Sequence, residues 1–118
     1  MDIVTITDFS VSAENKVQVF IGGSLHGEER LGSHIAYYLI EYLVTNFNRD
    51  VYITHLLQTR EIVVVPIPNA YGYAHKQWKE RTVTDGSLRL VDRDPTRDFP
   101  YNIEPNRCLN TVAARSIY

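Results

Sequence analysis

Apolar residues are spaced along the chain in a way that predicts a strand followed by a helix. The first apolar run, Val17–Ile21, is short and rich in β-branched residues, and Gly22 and Gly23 close it. This composition predicts a strand, and a buried one. Between Arg30 and Phe47, apolar residues recur at spacings of three and four, which predicts an amphipathic helix. The stripe of this helix consists of Leu31, Ile35, Leu39, Tyr42 and Leu43.

The clearest strand pattern follows at Glu61–Pro68, where Ile and Val succeed one another without interruption up to Pro66. An unbroken apolar run is typical of a central or parallel strand that is buried on both faces, and the prolines mark its end. Residues 51–58, which precede it, are compatible with a second short helix or with a turn. Strand, helix and strand in this order predict a βαβ unit, in which the two strands run parallel.

Beyond Pro68 the pattern loses its period. Residues 69–107 contain prolines, aromatic residues and unpatterned charges, and we expect a long ordered loop with one short element. Apolar residues return at helical spacing from Cys108 to Tyr118 and predict the beginning of a helix. Two strands and one long helix enclose little core, so we interpret residues 1–118 as a single partial α/β domain that is incomplete at its C-terminus. We also expect association with another chain through this incomplete core.

Length, charge and cysteine content exclude several classes of protein. A chain of 118 residues is enough for one domain. Its 12 basic and 14 acidic residues give a net charge of −2, which argues against nucleic-acid binding or membrane-surface binding through a basic field. No apolar run approaches the roughly 18 residues that a membrane span needs. The single cysteine, Cys108, excludes an intramolecular disulfide and a Cys-rich zinc knuckle.

Candidate chemistry is concentrated in the turn between the first strand and the helix. Gly22 and Gly27 have the outer spacing of a phosphate-binding loop, but Glu28 and Glu29 follow where Lys and Ser or Thr are needed, and carboxylates repel phosphate. His26 and Glu29 form a His-x-x-Glu pair, and imidazole and carboxylate are ordinary zinc ligands. Taken alone, this pair favours a surface histidine and a helix-start glutamate over a metal site.

Two further motifs, in order along the chain, change this balance. Residues 68–73 read PNAYGY, which is similar to the Asn-Pro-Asp-Gly-Tyr/Phe motif of the zinc carboxypeptidases, the relatives of carboxypeptidase A. Residues 94–100 read DPTRDFP, which is similar to the family's Asp-x-Asn-Arg-Asn/Asp-Phe-Pro. Together with His-x-x-Glu, these motifs resemble that family over roughly residues 17–118. The resemblance implies an α/β fold with a mixed sheet, helices on both faces and the site at the carboxyl ends of the strands.

The resemblance also implies roles for individual residues. His26 and Glu29 would be two ligands of a Zn²⁺ cofactor. Arg97 would bind the terminal carboxylate of a peptide or protein substrate in a bidentate ion pair, for which guanidinium geometry is suited. Thr96 stands where the family has an Asn that shares this task, and it lacks the amide donors of that Asn.

A cationic residue near the metal polarises the scissile carbonyl and stabilises the oxyanion in this family. Counting back from Arg97 without gaps selects Lys79 for this role. Arg81 has the family's side chain but needs a shift of two residues, so both remain candidates.

The implied activity is zinc-dependent hydrolysis of C-terminal peptide bonds, which would make the protein a metalloprotease. The family's third ligand, a second His, and its general base, a Glu, have no counterpart in these residues, so we expect the chain alone to be inactive. The alternative is a non-catalytic peptide-binding or interaction module with the same fold. We expect His34, His55 and His75 to be surface or cap residues rather than ligands.

Overall fold

A computed structural model describes residues 1–83 and 90–99 of the chain. These residues belong to two compact units. The first unit comprises residues 1–23 and 31–66, and the second comprises residues 24–30 together with the described residues from 67 to 99. The helix predicted from Cys108 to Tyr118 lies outside the described residues.

A three-stranded sheet forms the basis of the first unit. Its strands are β1 at Val4–Ile6, β2 at Val17–Gly22 and β3 at Arg60–Val65, in the order β1-β3-β2. The strand β2 runs parallel to β3, as the βαβ pattern predicts, whereas β1 is antiparallel to β3, so the sheet is mixed. Val64 and Val65 are 0% exposed, which confirms that β3 is the buried central strand.

The prediction that β2 is buried is wrong. Val17, Val19 and Phe20 are 57%, 37% and 43% exposed. Among the described strands, β2 pairs with β3 along one edge only, so its side chains lack the cover that a central strand receives. A β-branched composition favours extended backbone but does not fix how many neighbours pack against it.

The predicted long helix is present as α1 at Arg30–Asn46, but its buried side differs from the predicted stripe. The buried residues are Ser33, Ala36 and Leu43. Three members of the predicted stripe are instead more than half exposed: Leu31 at 71%, Ile35 at 56% and Tyr42 at 54%.

Close contact between backbones explains why a small residue, Ser33, is buried near the N-terminus of α1. A Cβ placed on Gly23 would lie 3.1 Å from the Cα of Ser33 and 2.0 Å from the carbonyl oxygen of Pro66. The helix therefore passes too near the end of β2 for a large side chain to fit at position 33. The apolar stripe was a correct signal of helix, but of its five residues only Leu43 is buried, while Leu39 is partly buried against the core.

A second helix, α2 at Val51–Thr59, completes the first unit and decides between the two predicted alternatives for this segment. Asp50 caps it, because its side chain accepts a hydrogen bond of 2.9 Å from the amide of Ile53. The core of the unit combines residues of both helices with residues of β1 and β3: Ile6, Ala36, Leu43, Ile53, Leu57, Ile62 and Val64.

The second unit shows that the long loop predicted for residues 69–107 is wrong over its described part. This part contains α3 at Ala70–His75, an antiparallel pair of strands, β4 at Glu80–Val83 and β5 at Leu90–Arg93, and a 3₁₀ turn at Pro95–Arg97. Each element is only three to six residues long, which is too short to show a period in the sequence.

None of the helices among the described residues is long and apolar enough to cross a membrane.

Candidate metal centre

The His-x-x-Glu pair lies in a tight turn of the second unit, within residues 24–30. The amide of Glu29 donates to the carbonyl of His26 at 3.2 Å, and the hydroxyl of the buried Ser24 donates to the carbonyl of Glu29 at 2.8 Å. These bonds close the turn so that both side chains point the same way. Nδ1 of His26 then lies 3.4 Å from Oε1 of Glu29.

Close packing against α3 holds this turn in place. A Cβ on Gly27 would lie 1.9 Å from the carbonyl carbon of Gly72 and 2.2 Å from the amide nitrogen of Tyr73, so only glycine fits between His26 and the helix. Arg30 adds a second attachment, because its Nη2 donates to the carbonyl of Tyr73 at 2.9 Å and its guanidinium lies 4.7 Å from the centre of the Tyr73 ring.

Asp94 engages the other ring nitrogen of His26. Its Oδ1 lies 3.1 Å from Nε2 of His26. The same carboxylate caps the 3₁₀ turn, accepting from the amide of Thr96 at 2.9 Å and from its hydroxyl at 2.6 Å. Both ring nitrogens of His26 therefore face a carboxylate, Nε2 at 3.1 Å and Nδ1 at 3.4 Å, and each donates to its carboxylate when the ring is protonated. If Asp94 keeps the proton on Nε2, loss of the proton on Nδ1 would leave that nitrogen able to bind a metal beside Glu29.

The electrostatics of this cluster favour a positive charge. Burial lowers the pKa of His26, but the hydrogen bonds and charges of Asp94 and Glu29 outweigh it, and the pKa is raised above its ordinary value. For Asp94, burial raises the pKa, but hydrogen bonds from Thr96 and His26 outweigh it, and the pKa is lowered. Without a metal, the two carboxylates thus stabilise a proton on His26.

Trp78 packs against the imidazole of His26. The two ring centres are 6.0 Å apart and the planes are inclined by 86°, an edge-to-face arrangement. Asn69, which is 0% exposed, fixes this segment. Its Nδ2 donates to the carbonyl of Trp78 at 3.1 Å, while its Oδ1 accepts from the amide of Gly72 at 2.7 Å and caps α3. The Asn of the second motif therefore has a structural role.

The two candidates for oxyanion stabilisation lie in different environments. Nζ of Lys79 is 4.8 Å from the centre of the Trp78 ring, the ring that also contacts His26. Arg81 instead forms an ion pair of 2.9 Å with Asp92 across the β4–β5 pair, and its guanidinium lies 4.9 Å from the ring of Tyr71.

The two residues predicted to bind substrate, Arg97 and Thr96, are linked by hydrogen bonds to His26. Nη1 of the exposed Arg97 donates to Oγ1 of Thr96 at 3.1 Å. The hydroxyl of Thr96 in turn donates to Asp94, whose Oδ1 also engages His26. Sequence reasoning placed Asp94 in a motif but gave it no role; an Asp directly before a Pro at the start of a turn is a capping signal that it overlooked.

The geometry of His26 and Glu29 fits two ligands of one zinc ion. Ligand atoms about 2.1 Å from zinc in a tetrahedral arrangement are roughly 3.4 Å apart, which matches the observed separation. The other three histidines, His34, His55 and His75, are exposed. Within residues 1–83 and 90–99, no group of three or more His, Cys, Asp or Glu side chains is arranged to hold a metal.

Comparison of backbones shows that the fold of the chain is similar to that of a solved structure. The chain is similar to thrombin activatable fibrinolysis inhibitor (TAFI), with a TM-score of 0.68 and 16% identity over 82% of this chain and 25% of that one. At this identity the likeness concerns the fold alone.

Sequence comparison identifies the family. The profile of the zinc carboxypeptidases matches residues 1–116, and the chain belongs to that family. Both the resemblance and the α/β fold with a mixed sheet are thereby confirmed. The family consists of zinc-dependent hydrolases that remove residues from peptide C-termini, and zinc is its implied cofactor.

The individual relatives are much longer proteins than this chain. Carboxypeptidase M of Mus musculus is 31% identical over 83 residues, which are 70% of this chain and 19% of the relative. Carboxypeptidase D of Anas platyrhynchos is 37% identical over 78 residues, 66% of this chain and 6% of the relative. Carboxypeptidase B of Canis lupus familiaris is 23% identical over 93 residues, 75% of this chain and 22% of the relative. The chain thus spans less than a quarter of the length of these relatives.

Proposed function

We propose that this chain contributes two zinc ligands and the substrate-carboxylate clamp to a zinc-dependent carboxypeptidase. The observation that carries the proposal is that each ring nitrogen of His26 faces a carboxylate. Nδ1 of His26 lies 3.4 Å from Glu29, and Nε2 lies 3.1 Å from Asp94. A carboxylate on the far nitrogen orients a metal-bound histidine and raises its basicity. A histidine with a purely structural role has no need of a second carboxylate on Nδ1.

The proposed chemistry assigns each remaining residue a separate task. Zinc, when bound, would polarise the scissile carbonyl and lower the pKa of a bound water toward about 7. The ammonium of Lys79 would stabilise the negative charge that develops on the carbonyl oxygen. Its place on the Trp78 ring beside His26 supports Lys79 over Arg81, whose guanidinium is paired with Asp92.

The proposed substrate is a peptide or protein with a free C-terminal carboxylate. The exposed guanidinium of Arg97 suits bidentate binding of this group. The bonded path from Arg97 through Thr96 and Asp94 to His26 supports a location of this clamp close to the metal pair.

Metal binding by the full chain tests the assignment of ligands. We expect Zn²⁺ to compete weakly with a chromophoric chelator, because two protein ligands leave the coordination shell incomplete. His26→Ala and Glu29→Gln should each abolish this binding. His34→Ala, a matched change at an exposed histidine, should leave it unchanged. Equal zinc binding by wild type and His26→Ala would contradict the proposal.

Hydrolysis of N-terminally blocked peptides tests catalysis. We expect no release of C-terminal residues by this chain in the presence of Zn²⁺, because the described residues contain no group of three metal-binding side chains and the motifs in the chain include no counterpart of the family's general base. Zinc-dependent release that disappears in His26→Ala would show that the site is completed by His34, His55 or His75, or by a second copy of the chain.

A non-catalytic peptide-binding module is the second candidate. It is favoured because the described residues contain no group of three side chains that could hold a metal ion. The two candidates differ in what they bind. A module should bind peptides through Arg97 with the same affinity whether or not Zn²⁺ is present, whereas the carboxypeptidase assignment requires zinc binding at His26 and Glu29.

A further inference from the structure

We propose that Thr96 is a positioning residue that couples occupancy of the carboxylate clamp, Arg97, to metal binding at His26. The proposal rests on the proposed function. It adds that carboxylate binding at Arg97 and metal binding at His26 are cooperative. The observation behind it is a continuous path of three hydrogen bonds: 3.1 Å from Arg97 to Thr96, 2.6 Å from Thr96 to Asp94, and 3.1 Å from His26 to Asp94.

The direction of each hydrogen bond follows from the chemistry of the groups. A guanidinium only donates and a carboxylate only accepts, whereas a hydroxyl has one proton and two lone pairs. The hydroxyl of Thr96 must therefore give its proton to Asp94 and receive the proton of Arg97 Nη1. With its proton committed at 2.6 Å, Thr96 has no donor left for the carboxylate of a substrate. Its hydroxyl acts within the network and does not share the clamp.

Thr96 and His26 both contact the same oxygen, Oδ1 of Asp94, and this shared acceptor couples the two residues. Oδ1 of Asp94 accepts from the hydroxyl and amide of Thr96 and also faces Nε2 of His26. Because hydrogen bonds in a chain polarise one another, donation from Arg97 strengthens the bond that Thr96 makes to Asp94. That oxygen then has less electron density to offer to His26.

Binding of a carboxylate to Arg97 should shift this balance. The ligand competes with Oγ1 of Thr96 for Nη1, and the bond from Thr96 to Asp94 weakens. Asp94 then accepts more strongly from Nε2 of His26, which raises the basicity of Nδ1 and favours a metal there. Since linkage is reciprocal, zinc should likewise tighten carboxylate binding by the same factor.

The experiment uses the full chain, Zn²⁺ and hippurate, a small N-acylated glycine with a free carboxylate. The Zn²⁺ dissociation constant is measured with and without saturating hippurate, and the ring ¹⁵N shifts of His26 are followed by NMR in the metal-free chain. We expect hippurate to tighten zinc binding roughly fivefold and to shift the ring nitrogens. Hippuramide, which lacks the negative charge, should do neither.

Substitutions at Thr96 isolate its hydroxyl. Thr96→Val keeps the shape and the backbone amide bond to Asp94, and it should abolish both the fivefold effect and the shift. Thr96→Ala removes the same hydroxyl with less bulk, should valine disturb the turn, and Thr96→Ser should restore the coupling. Thr45→Val, a matched change at an exposed threonine of α1, should behave as wild type.

The outcomes separate this proposal from the proposed function. Undiminished coupling in both Thr96→Val and Thr96→Ala would overturn the role of Thr96, while hippurate binding that is lost in Arg97→Ala would still support the clamp. Hippurate binding that is insensitive to Arg97→Ala, or absent altogether, would overturn the clamp and the coupling together.

Discussion

Nε2 of His26 lies 3.1 Å from Oδ1 of Asp94, although the two residues are 68 positions apart in the chain. This bond joins the first and third of the motifs that resemble the family. It also occupies Nε2, so that Nδ1 is the ring nitrogen that faces Glu29. The metal-binding role that we propose for the His-x-x-Glu pair therefore depends on a third residue, Asp94, which lies outside the motif.

Asp94→Asn should weaken Zn²⁺ binding about 10- to 100-fold, the usual effect of removing a carboxylate that supports a metal-bound histidine. Asn keeps an oxygen for the Thr96 bonds but has no charge with which to raise the basicity of His26. Asp92→Asn is the matched control, because Asp92 pairs with Arg81 on the strand pair. Chelator competition measures both variants, and an equal loss in both would contradict the assigned role of Asp94.

Stability of the metal-free chain should depend on pH through His26. Its pKa is raised above 6.5 in the folded state, so the protonated form stabilises the fold. This stabilisation is fully present below pH 6.5 and is lost as the pH rises through the folded-state pKa. Trp78, the single tryptophan of the chain, contacts His26 and reports unfolding by its fluorescence. Denaturant midpoints should fall across this window in wild type.

Asp94→Asn provides the control for this pH dependence. Removing one of the two carboxylates beside His26 should lower the pKa of His26 and flatten the change in unfolding midpoint. An unfolding midpoint that rises with pH over the same window in wild type would show that the histidine is stabilised in its neutral form, contrary to the electrostatics of the cluster.

The regular elements of the first unit could largely be predicted from the sequence. A helix of 17 residues has a strong periodic pattern, and an uninterrupted Ile/Val run is a strong signal of a buried strand. The predicted limits of α1 differ from the observed ones by at most one residue, and those of β3 by at most three. The strand β1 has only three residues and no surrounding pattern. Which face of α1 is buried was not predictable from periodicity, because contact with Gly23 admits only a small residue at Ser33.

The candidate site was predictable where its residues are adjacent in sequence and not where they are joined by tertiary contacts. His26 and Glu29 share one turn, so spacing alone could suggest them. The contact of Trp78 with His26 depends on a buried Asn69, which spacing does not reveal. The choice between Lys79 and Arg81 likewise required the positions of their partners.

Gly27→Ala should destabilise the second unit and displace the turn that contains His26 and Glu29. The new Cβ would meet the backbone of Gly72 and Tyr73 at 1.9 and 2.2 Å, and backbone atoms cannot rotate away as a side chain can. Such overpacking typically costs ~1–3 kcal/mol. Gly32→Ala within α1 is the matched control and should be neutral or stabilising, since alanine is the better helix former. Denaturant unfolding measures both, and equal stability of the two variants would contradict the close packing of the turn against α3.

Asn69→Ala should lower stability and loosen Trp78 against His26. The substitution removes the cap of α3, which typically contributes ~1 kcal/mol, and leaves the carbonyl of Trp78 without the Nδ2 donor, at a further cost of about 1–3 kcal/mol. Asn46→Ala, the same chemical change at the end of α1, should alter the free energy of unfolding by less than ~0.5 kcal/mol.

Asn69→Asp separates the two bonds of Asn69. An aspartate still accepts from the amide of Gly72, but it presents an oxygen instead of a donor to the carbonyl of Trp78 and adds a charge at a position that is 0% exposed. We therefore expect Asn69→Asp to be at least as destabilising as Asn69→Ala, and to red-shift the fluorescence of Trp78 as its ring loses the contact with His26. If Asn69→Asp retained wild-type stability and emission, the bond to Trp78 would contribute nothing, and some other contact would have to hold Trp78 on the imidazole.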